Sequence, residues 1–303
     1  MTTGAAPASR EPAPARQRGP AADWGPDDQY GALNLVTPKK IRRAMSLVTI
    51  GQPVCLSRPF PTTPGRGNPL PAQHYMMRLE KGPGTGAAAD YIGGVFHGTS
   101  CTHVDALCHM WNSEGMWNGR DPDTELDFAG TRWGGIEHWR TGIITRGVLL
   151  DIPALRDARY VTPDEPVRAA DLQAAATRQG VAAEPGDALV VYSGRDAWDA
   201  ENPPWGSSSR RPGLDPSCLD YLRQIRCAAL AWDMMDALPV QPDQPLGVHG
   251  AIPELGIALI DNAELADLIA LCRAAGRYEF LFIVAPLVVL GGTGSPVTPL
   301  AVL

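Results

Sequence analysis

Residues 97–109 read HGTSCTHVDALCH and hold three of the six histidines in this chain of 303 residues. Alternate side chains of an extended strand share one face, so the sequence places His97, Cys101, His103 and Asp105 together, with His109 after an expected turn. Imidazole and carboxylate groups that converge on one point suit a divalent cation. A lone histidine is more often a structural residue than a ligand. Three histidines around one aspartate instead predict a metal or catalytic site.

Outward from this stretch, continuous apolar runs predict buried strands, and amphipathic segments with caps predict helices. The predicted strands are Pro53–Ser57, Tyr91–Asp105 with a bend at Gly98, Val148–Ile152, Ala188–Tyr192, Ala228–Asp233, residues 279–290 and residues 296–302. The predicted helices are Pro38–Val48, Pro166–Gly180, Asp215–Arg226 and Asn262–Ala275. Gly/Pro-rich loops are predicted at Pro61–Pro71 and Gly82–Gly86. The pattern predicts an α/β protein with mixed strands.

Composition limits the classes of function that the chain can have. The chain is 44% hydrophobic and 19% charged, which suits one domain over residues 23–303. Residues 1–22 are mostly Ala, Pro, Gly and Arg, which predicts a disordered tail. The net charge of −7 and the lack of a Lys/Arg block argue against nucleic-acid binding. No apolar run reaches the roughly 20 residues of a membrane helix. Six cysteines without a CxxC pair indicate reduced thiols in a cytoplasmic protein.

The stretch at residues 97–109 resembles the signature of the cyclase family of metal-dependent hydrolases, His-x-Gly-Thr-His-x-Asp-x-x-x-His. This family includes bacterial kynurenine formamidase and isatin hydrolase. Thr102-His103-Val104-Asp105 and His109 match the second half of the signature. The similarity extends over most of the chain from about residue 50, and it includes Arg146–Asp151, Pro185–Val190, His249 followed by Asp261-Asn262, and Gly291–Pro296.

The resemblance implies a central mixed β-structure flanked by helices, of the swivelling β/β/α kind. It implies a divalent metal ion, zinc or manganese, held by His103, Asp105, His249 and Asp261. Asp261 stands where the family has Glu, and it offers the same carboxylate oxygens on a shorter arm. His109 matches the family's catalytic acid/base.

One position departs from the family pattern. Its first ligand histidine corresponds to Thr99 here, and threonine is a poor ligand. Either that ligand is lost, or His97 or Cys101 replaces it from the same strand face. This departure favours one metal ion over two. Trp24–Asp28 and Gly31–Asn34 extend beyond a minimal family member and suggest a branch with larger substrates.

The expected function is metal-dependent hydrolysis of a cyclic or aryl amide, or of a lactone, through a metal-activated water. A non-hydrolytic cyclase or dehydratase is the alternative, and a binding protein without turnover is a third possibility. The expected partners are a small-molecule substrate and further copies of the chain, without nucleic acid or membrane. Ser193-Gly194-Arg195 follows a buried strand and either contacts substrate or forms a tight turn.

Overall fold

The computed structural model describes residues 21–303. The tail predicted to be disordered, residues 1–22, lies outside the described residues except for its last two. The strands are β1 (Pro53–Cys55), β2 (Gln73–Gly82), β3 (Thr85–Gly93), β4 (His103–Asp105), β5 (Leu126–Asp127), β6 (Gly130–Thr131), β7 (Ile143–Asp151), β8 (Ala188–Tyr192), β9 (Ala229–Trp232), β10 (Ala258–Asp261), β11 (Glu279–Val284), β12 (Gly294–Pro296) and β13 (Leu300–Val302).

Helices flank these strands. The α-helices are α1 (Ala21–Trp24), α2 (Pro38–Met45), α3 (Pro122–Glu125), α4 (Ile152–Leu155), α5 (Ala169–Gln179), α6 (Arg195–Glu201), α7 (Cys218–Ile225), α8 (Ala251–Leu255) and α9 (Ala266–Ala275). Short 3-10 turns occupy Gly31–Leu35, Trp117–Gly119, Ile136–Trp139, Trp205–Ser207 and Gly247–Gly250. Within residues 21–303, no helix is long and apolar enough to cross a membrane.

Nine strands form one mixed sheet in the order β1-β13-β11-β7-β8-β9-β10-β4-β12. The central strands β7, β8, β9 and β10 are parallel, and the strands on both sides of them pair antiparallel. Both faces are covered: Leu149 and Val190 enter one hydrophobic core, while Leu150 and Val191 enter the other. Strands buried on both faces need continuous apolar runs, so the prediction of an α/β fold with a central mixed sheet is confirmed.

Local sequence patterns predicted the positions of several helices and strands correctly. The predicted strand Ala188–Tyr192 is β8. The Thr37 side chain caps α2 by accepting a hydrogen bond from the Lys40 amide, although the helix ends at Met45 before the predicted Val48. Gly180 ends α5 in the left-handed conformation, as its position after an amphipathic helix predicts.

The prediction of one strand from Tyr91 to Asp105 is wrong. β3 ends at Gly93, β4 begins at His103, and residues 94–102 form a loop between them. The loop carbonyls are satisfied by side chains instead of a strand ladder: Asn262 Nδ2 donates to Gly98 O and Cys101 O, and Arg195 Nη2 donates to Thr99 O. Shared strand alternation therefore does not explain how His97 meets Asp105.

Two other predicted boundaries also shift, and one predicted loop belongs to a hairpin. The helix predicted from Asn262 begins at Ala266, because Asn262 has φ 55, in the left-handed region that a helix excludes. The strand predicted over residues 279–290 ends at Val284, two residues before Pro286. The predicted loop Gly82–Gly86 is the turn of a hairpin between β2 and β3, and this hairpin was not predicted from the sequence.

A buried ion cluster ties α2 to the central sheet. Asp187, at the start of β8, is fully buried; Lys40 Nζ lies 2.5 Å from its Oδ1, and Arg146 Nε lies 3.1 Å from both of its oxygens. Removal of Asp187 would leave the buried charge only partly compensated, since Arg146 also lies 2.6 Å from Glu279 and Lys40 lies 3.6 Å from Glu184.

We expect Asp187→Ala to lower the free energy of unfolding by about 3–5 kcal/mol, because Lys40 and Arg146 lose their shared buried partner. Urea unfolding measures this change. Asp220→Ala is the matched control: Asp220 bridges Arg223 at 3.0 Å on the surface, and an exposed pair is worth at most about 1 kcal/mol. Equal losses in the two variants would contradict a structural role for the buried cluster.

Candidate metal centre

Two neighbouring strands bring three predicted ligands together. β4 carries His103 and Asp105, and its antiparallel partner β10 places Asp261 directly opposite His103. Directly opposed side chains in an antiparallel pair lie on the same face. The centre of the site is therefore set by strand register, which a one-residue slip would destroy.

On its other side, β4 pairs with β12, where Gly294 lies opposite Asp105. A Cβ at Gly294 would lie 2.5 Å from Val104 O and 2.9 Å from His97 Cε1. Only glycine allows the edge strand to approach this closely, which leaves room for the His97 ring beside Asp105.

The Asp105 carboxylate is the middle of the site. It is fully buried, and neither of its oxygens accepts a hydrogen bond from any described residue. Imidazole nitrogens face it: His97 Nδ1 lies 2.9 Å from Oδ1, His103 Nε2 lies 3.4 Å from Oδ1, and His249 Nε2 lies 3.8 Å from Oδ2. The close contact with His97 lacks hydrogen-bond alignment, since His97 Nδ1 is also without a partner.

Hydrogen bonds orient two of these rings. His103 Nδ1 lies 2.8 Å from Cys101 O, which can only accept, so Nδ1 donates to it and Nε2 is the nitrogen that faces Asp105. His249 Nδ1 contacts the Asp236 carboxylate, and His249 Nε2 lies 3.1 Å from Asp261 Oδ2. A ring whose outer nitrogen donates to a carbonyl or carboxylate has the orientation that proteins use for metal-ligating histidine.

Carboxylates dominate the electrostatics. Burial acts to lower the pKa of His103, but Asp105 and Asp261 outweigh it and raise that pKa to about 9. Burial also acts to lower the pKa of His249, but Asp236 and Asp261 raise it well above its ordinary value. Burial acts to raise the pKa of Asp105, yet the surrounding histidines hold it well below its usual range. The carboxylates therefore favour positive charge at the centre, which a divalent cation would supply.

Two overlapping groups of side chains could each hold an ion. His103, Asp105 and Asp261 form one group, and His97, Asp105 and His109 form the other; within each, the ligand atoms lie within 4.8 Å of one another. Asp105 belongs to both groups. The unpartnered carboxylate oxygens and this His/Asp donor set fit a divalent metal ion.

His109 lies at the edge of the site. Its ring stacks on His97, with centroids 3.9 Å apart and an angle of 3° between the planes, and its Nε2 lies 3.8 Å from Asp105 Oδ1. Burial lowers the pKa of His109 to about 4, against the opposing effect of Asp105. The imidazole is neutral near pH 7, which allows it to accept a proton.

Thr99 and Cys101 contribute no atom to either group. Thr99 Oγ1 donates to Gly67 O at 3.5 Å, and Cys101 Sγ donates to Thr102 O at 3.5 Å. Burial raises the pKa of the Cys101 thiol to about 11, which disfavours the thiolate that binds metal. Of the two replacements weighed for the missing first histidine, only His97 lies with the other candidate ligands.

The residues that hold the site in place have a role that the sequence did not predict. Asn262 and Arg195 fasten the loop that carries His97, and Arg195 Nη1 donates to Asn262 Oδ1 at 2.6 Å. Arg195 is buried at the start of α6, so the structure places Ser193-Gly194-Arg195 in a tight turn. The Asp233 carboxylate accepts hydrogen bonds from all three amides of that turn.

Two further polar contacts support the ligands. Asp236 holds His249, and Trp232 Nε1 donates to Asp261 Oδ1 at 2.5 Å. The sequence gave little indication that these two residues support the ligands, because Asp236 lies in a loop and Trp232 lies in an apolar strand. Neither position has a local pattern that distinguishes it from an ordinary loop or core residue.

A family model described as putative cyclase matches residues 56–237. Among solved structures, a novel cyclase aligns with a TM-score of 0.84 and 29% identity, over 94% of this chain and 98% of that chain. An isatin hydrolase bound to the product analogue thioisatinate aligns with a TM-score of 0.54 and 15% identity, over 88% and 99%. A predicted metal-dependent hydrolase from Bacillus stearothermophilus has a TM-score of 0.52 and 15% identity, over 82% and 97%. No curated protein matches the sequence.

We expect His97→Ala to lower metal affinity at least about tenfold, since even residues that only orient a ligand are worth 10–100-fold. Cys101→Ala is the matched control from the same loop, and it should bind metal as the wild type does. Metal titration of the purified, metal-stripped proteins measures both affinities. Unchanged affinity in His97→Ala, with loss in Cys101→Ala, would reverse the assignment.

Proposed function

This chain belongs to the putative cyclase family, and on that premise we propose that it is a metal-dependent hydrolase acting on a cyclic or aryl amide or on a lactone. The observation that carries the proposal is the Asp105 carboxylate, buried without a hydrogen-bond donor among histidines, with Asp261 opposite His103 on the neighbouring strand. The fold shared with an isatin hydrolase and with a predicted metal-dependent hydrolase supports the same reaction class.

His103, Asp105, His249 and Asp261 are proposed as ligands of a zinc or manganese ion, with His97 in place of the family's first histidine. A divalent ion in such a site polarises a carbonyl group and lowers the pKa of a water molecule. The residues behind the ligands keep the rings fixed: Cys101 O holds His103, and Asp236 holds His249. Ligands locked in this way need little rearrangement during the reaction.

His109 is proposed as the general acid/base. Its side chain keeps 23% of its surface exposed, while His103 is almost completely buried. This position gives His109 access to both the metal centre and an incoming substrate. A neutral imidazole can accept a proton from water and then donate it to the leaving nitrogen or oxygen.

We expect His109→Ala to retain its metal and to lose turnover by about 10²–10⁴-fold, the usual contribution of a general acid/base. A substrate with a better leaving group should recover part of the loss, because it needs less protonation. His138→Ala is the control, since His138 lies outside both candidate metal groups. Metal content and kcat are measured on the same preparations. Loss of metal in His109→Ala would make His109 a ligand, together with His97 and Asp105.

The reaction class is tested with isatin, formylkynurenine and simple lactones in ¹⁸O-labelled water. Hydrolysis should place one labelled oxygen in the carboxylate of the product, because water is the second reactant. Ring closure without incorporation of label would replace the hydrolase proposal with a cyclase or dehydratase. A protein that binds metal but turns over none of the three substrate classes would be a binding protein in this respect, and the proposal would fail.

A further inference from the structure

Arg211 is a cation without an acceptor among the residues that the structure describes. Its Nε is buried and has no hydrogen-bond partner, and no described carboxylate forms an ion pair with its guanidinium group. The side chain is only partly exposed, so water does not fully replace these partners. A half-buried guanidinium with unused N–H groups is costly unless a ligand pairs with it.

The neighbouring arginines, in contrast, are paired. Arg195 donates to Thr99 O at 2.7 Å, and Arg210 forms an ion pair with Asp164 on the surface. Arg210 and Arg211 are consecutive in the sequence, yet only Arg210 has a carboxylate partner among the described residues. An unpaired group of this kind in a native structure needs an explanation, and a bound ligand is one.

Trp205 holds the Arg211 side chain in place. The guanidinium carbon lies 4.5 Å from the centre of the Trp205 ring, which is fully buried. Trp205 Nε1 also donates to Pro212 O at 2.7 Å, so the same side chain fixes the backbone next to Arg211. A cation–π contact supplies no oxygen acceptor, so the guanidinium N–H groups remain available for one.

The backbone of Arg211 runs beside the segment that orients a candidate metal ligand. The Leu238 amide donates to Arg211 O at 3.0 Å, and Asp236 pairs with Leu214 in a short parallel bridge. Asp236 is the residue whose carboxylate contacts His249 Nδ1. Arg211 and the support of the His249 ring therefore lie on adjacent segments.

The turn that carries Trp205 touches a second part of the metal centre. A Cβ at Gly206 would lie 2.3 Å from Thr99 Oγ1, so a larger residue would push Thr99 aside. Thr99 lies in the loop over residues 94–102, which also carries His97. Trp205, with Arg211 over its ring, therefore borders the loop that positions His97.

Charges at the metal centre act on Arg211. Burial lowers its pKa, and the carboxylates of Asp236 and Asp261 oppose this effect. Both carboxylates are engaged elsewhere, because Asp236 contacts His249 Nδ1 and Asp261 accepts from Trp232 Nε1. A divalent ion at the centre would offset their negative charge and leave Arg211 as a second positive group nearby.

We propose that Arg211 binds a carboxylate of the substrate, so that the substrate is an anionic amide or lactone held between this guanidinium and the metal centre. The inference rests on the proposed hydrolase function and narrows its substrates to compounds with a carboxylate apart from the bond that is cleaved. A guanidinium matches a carboxylate in bidentate geometry. Because the carboxylate does not react, Arg211 acts on KM more than on kcat.

The kinetic test compares formanilide and phthalide, an aryl amide and a lactone, with their ring-carboxylated derivatives at each ring position. At least one carboxylated compound should have a kcat/KM about 10–100-fold above that of its neutral parent, the usual contribution of a charged hydrogen bond. Arg211→Met keeps an unbranched apolar side chain and removes the charge, so this preference should disappear through KM. Arg211→Lys keeps the charge without the bidentate fork and should retain part of the preference.

Arg210→Met is the matched control, because Arg210 is the adjacent residue and pairs with Asp164 on the surface. This variant should keep the wild-type preference for the carboxylated compounds. Hydrolysis without any such preference, or an equal loss in Arg210→Met and Arg211→Met, would overturn the role of Arg211 and leave the hydrolase function standing.

A binding measurement separates the anion site from the reaction. Calorimetric titration of the zinc-loaded protein with benzoate and the three benzenedicarboxylates needs no turnover, since one carboxylate can bind the metal and the second can reach Arg211. At least one dicarboxylate should bind the wild type and Arg210→Met at least about tenfold more tightly than benzoate. Arg211→Met should bind benzoate and the dicarboxylates equally.

The two measurements distinguish failure of this inference from failure of the proposed function. Tighter binding of a dicarboxylate that depends on Arg211, without hydrolysis of any amide or lactone, would remove the hydrolase function and support the anion site. Equal affinity of the wild type for benzoate and for all three dicarboxylates would overturn the anion site.

Discussion

A carboxylate without hydrogen-bond donors in the interior of a protein needs positive charge nearby to remain ionised. Asp105 is such a group, and the residues around it are arranged accordingly. A buried ionised group is stable only when it is paired or coordinates a metal. Asp105 lies in the middle strand of three, so its main chain is held from both sides by β10 and β12. Its side chain cannot turn away to water. The histidines, Asp261 and the close approach of Gly294 are all arranged around that fixed group.

Regular and irregular segments of the fold both supply groups to the centre. His103, Asp105 and Asp261 are on paired strands, so their relative positions follow from sheet register. His97 and His249 lie on a loop and a 3-10 turn, and these segments need their own fastening. Asn262, Arg195 and Asp236 provide it through buried hydrogen bonds. A site built in this way keeps its geometry even though half of its groups come from irregular structure.

The same arrangement explains how His97 comes to lie beside Asp105. A loop can deliver a side chain from a different sequence position to the same point in space, provided that its backbone polar groups are satisfied. Asn262 satisfies two carbonyls of this loop and Arg195 a third. His97 can therefore reach Asp105 from two positions before Thr99, while the Thr99 side chain contacts Gly67.

Local sequence patterns determined a great deal about this protein. The apolar runs at β7 and β8, the cap at Thr37 and the left-handed Gly180 depend on neighbouring residues, so an α/β fold with a mixed sheet could be predicted. The spacing of His103, Asp105 and His109 pointed to a metal site for the same reason. Only the tertiary structure decided that His97 and not Cys101 joins Asp105, that Asp236 and Asn262 support the site, and that a loop over residues 94–102 interrupts the predicted strand at residues 91–105. These features depend on contacts between residues up to about 160 positions apart, whose energies arise from burial and hydrogen bonding that no local pattern records.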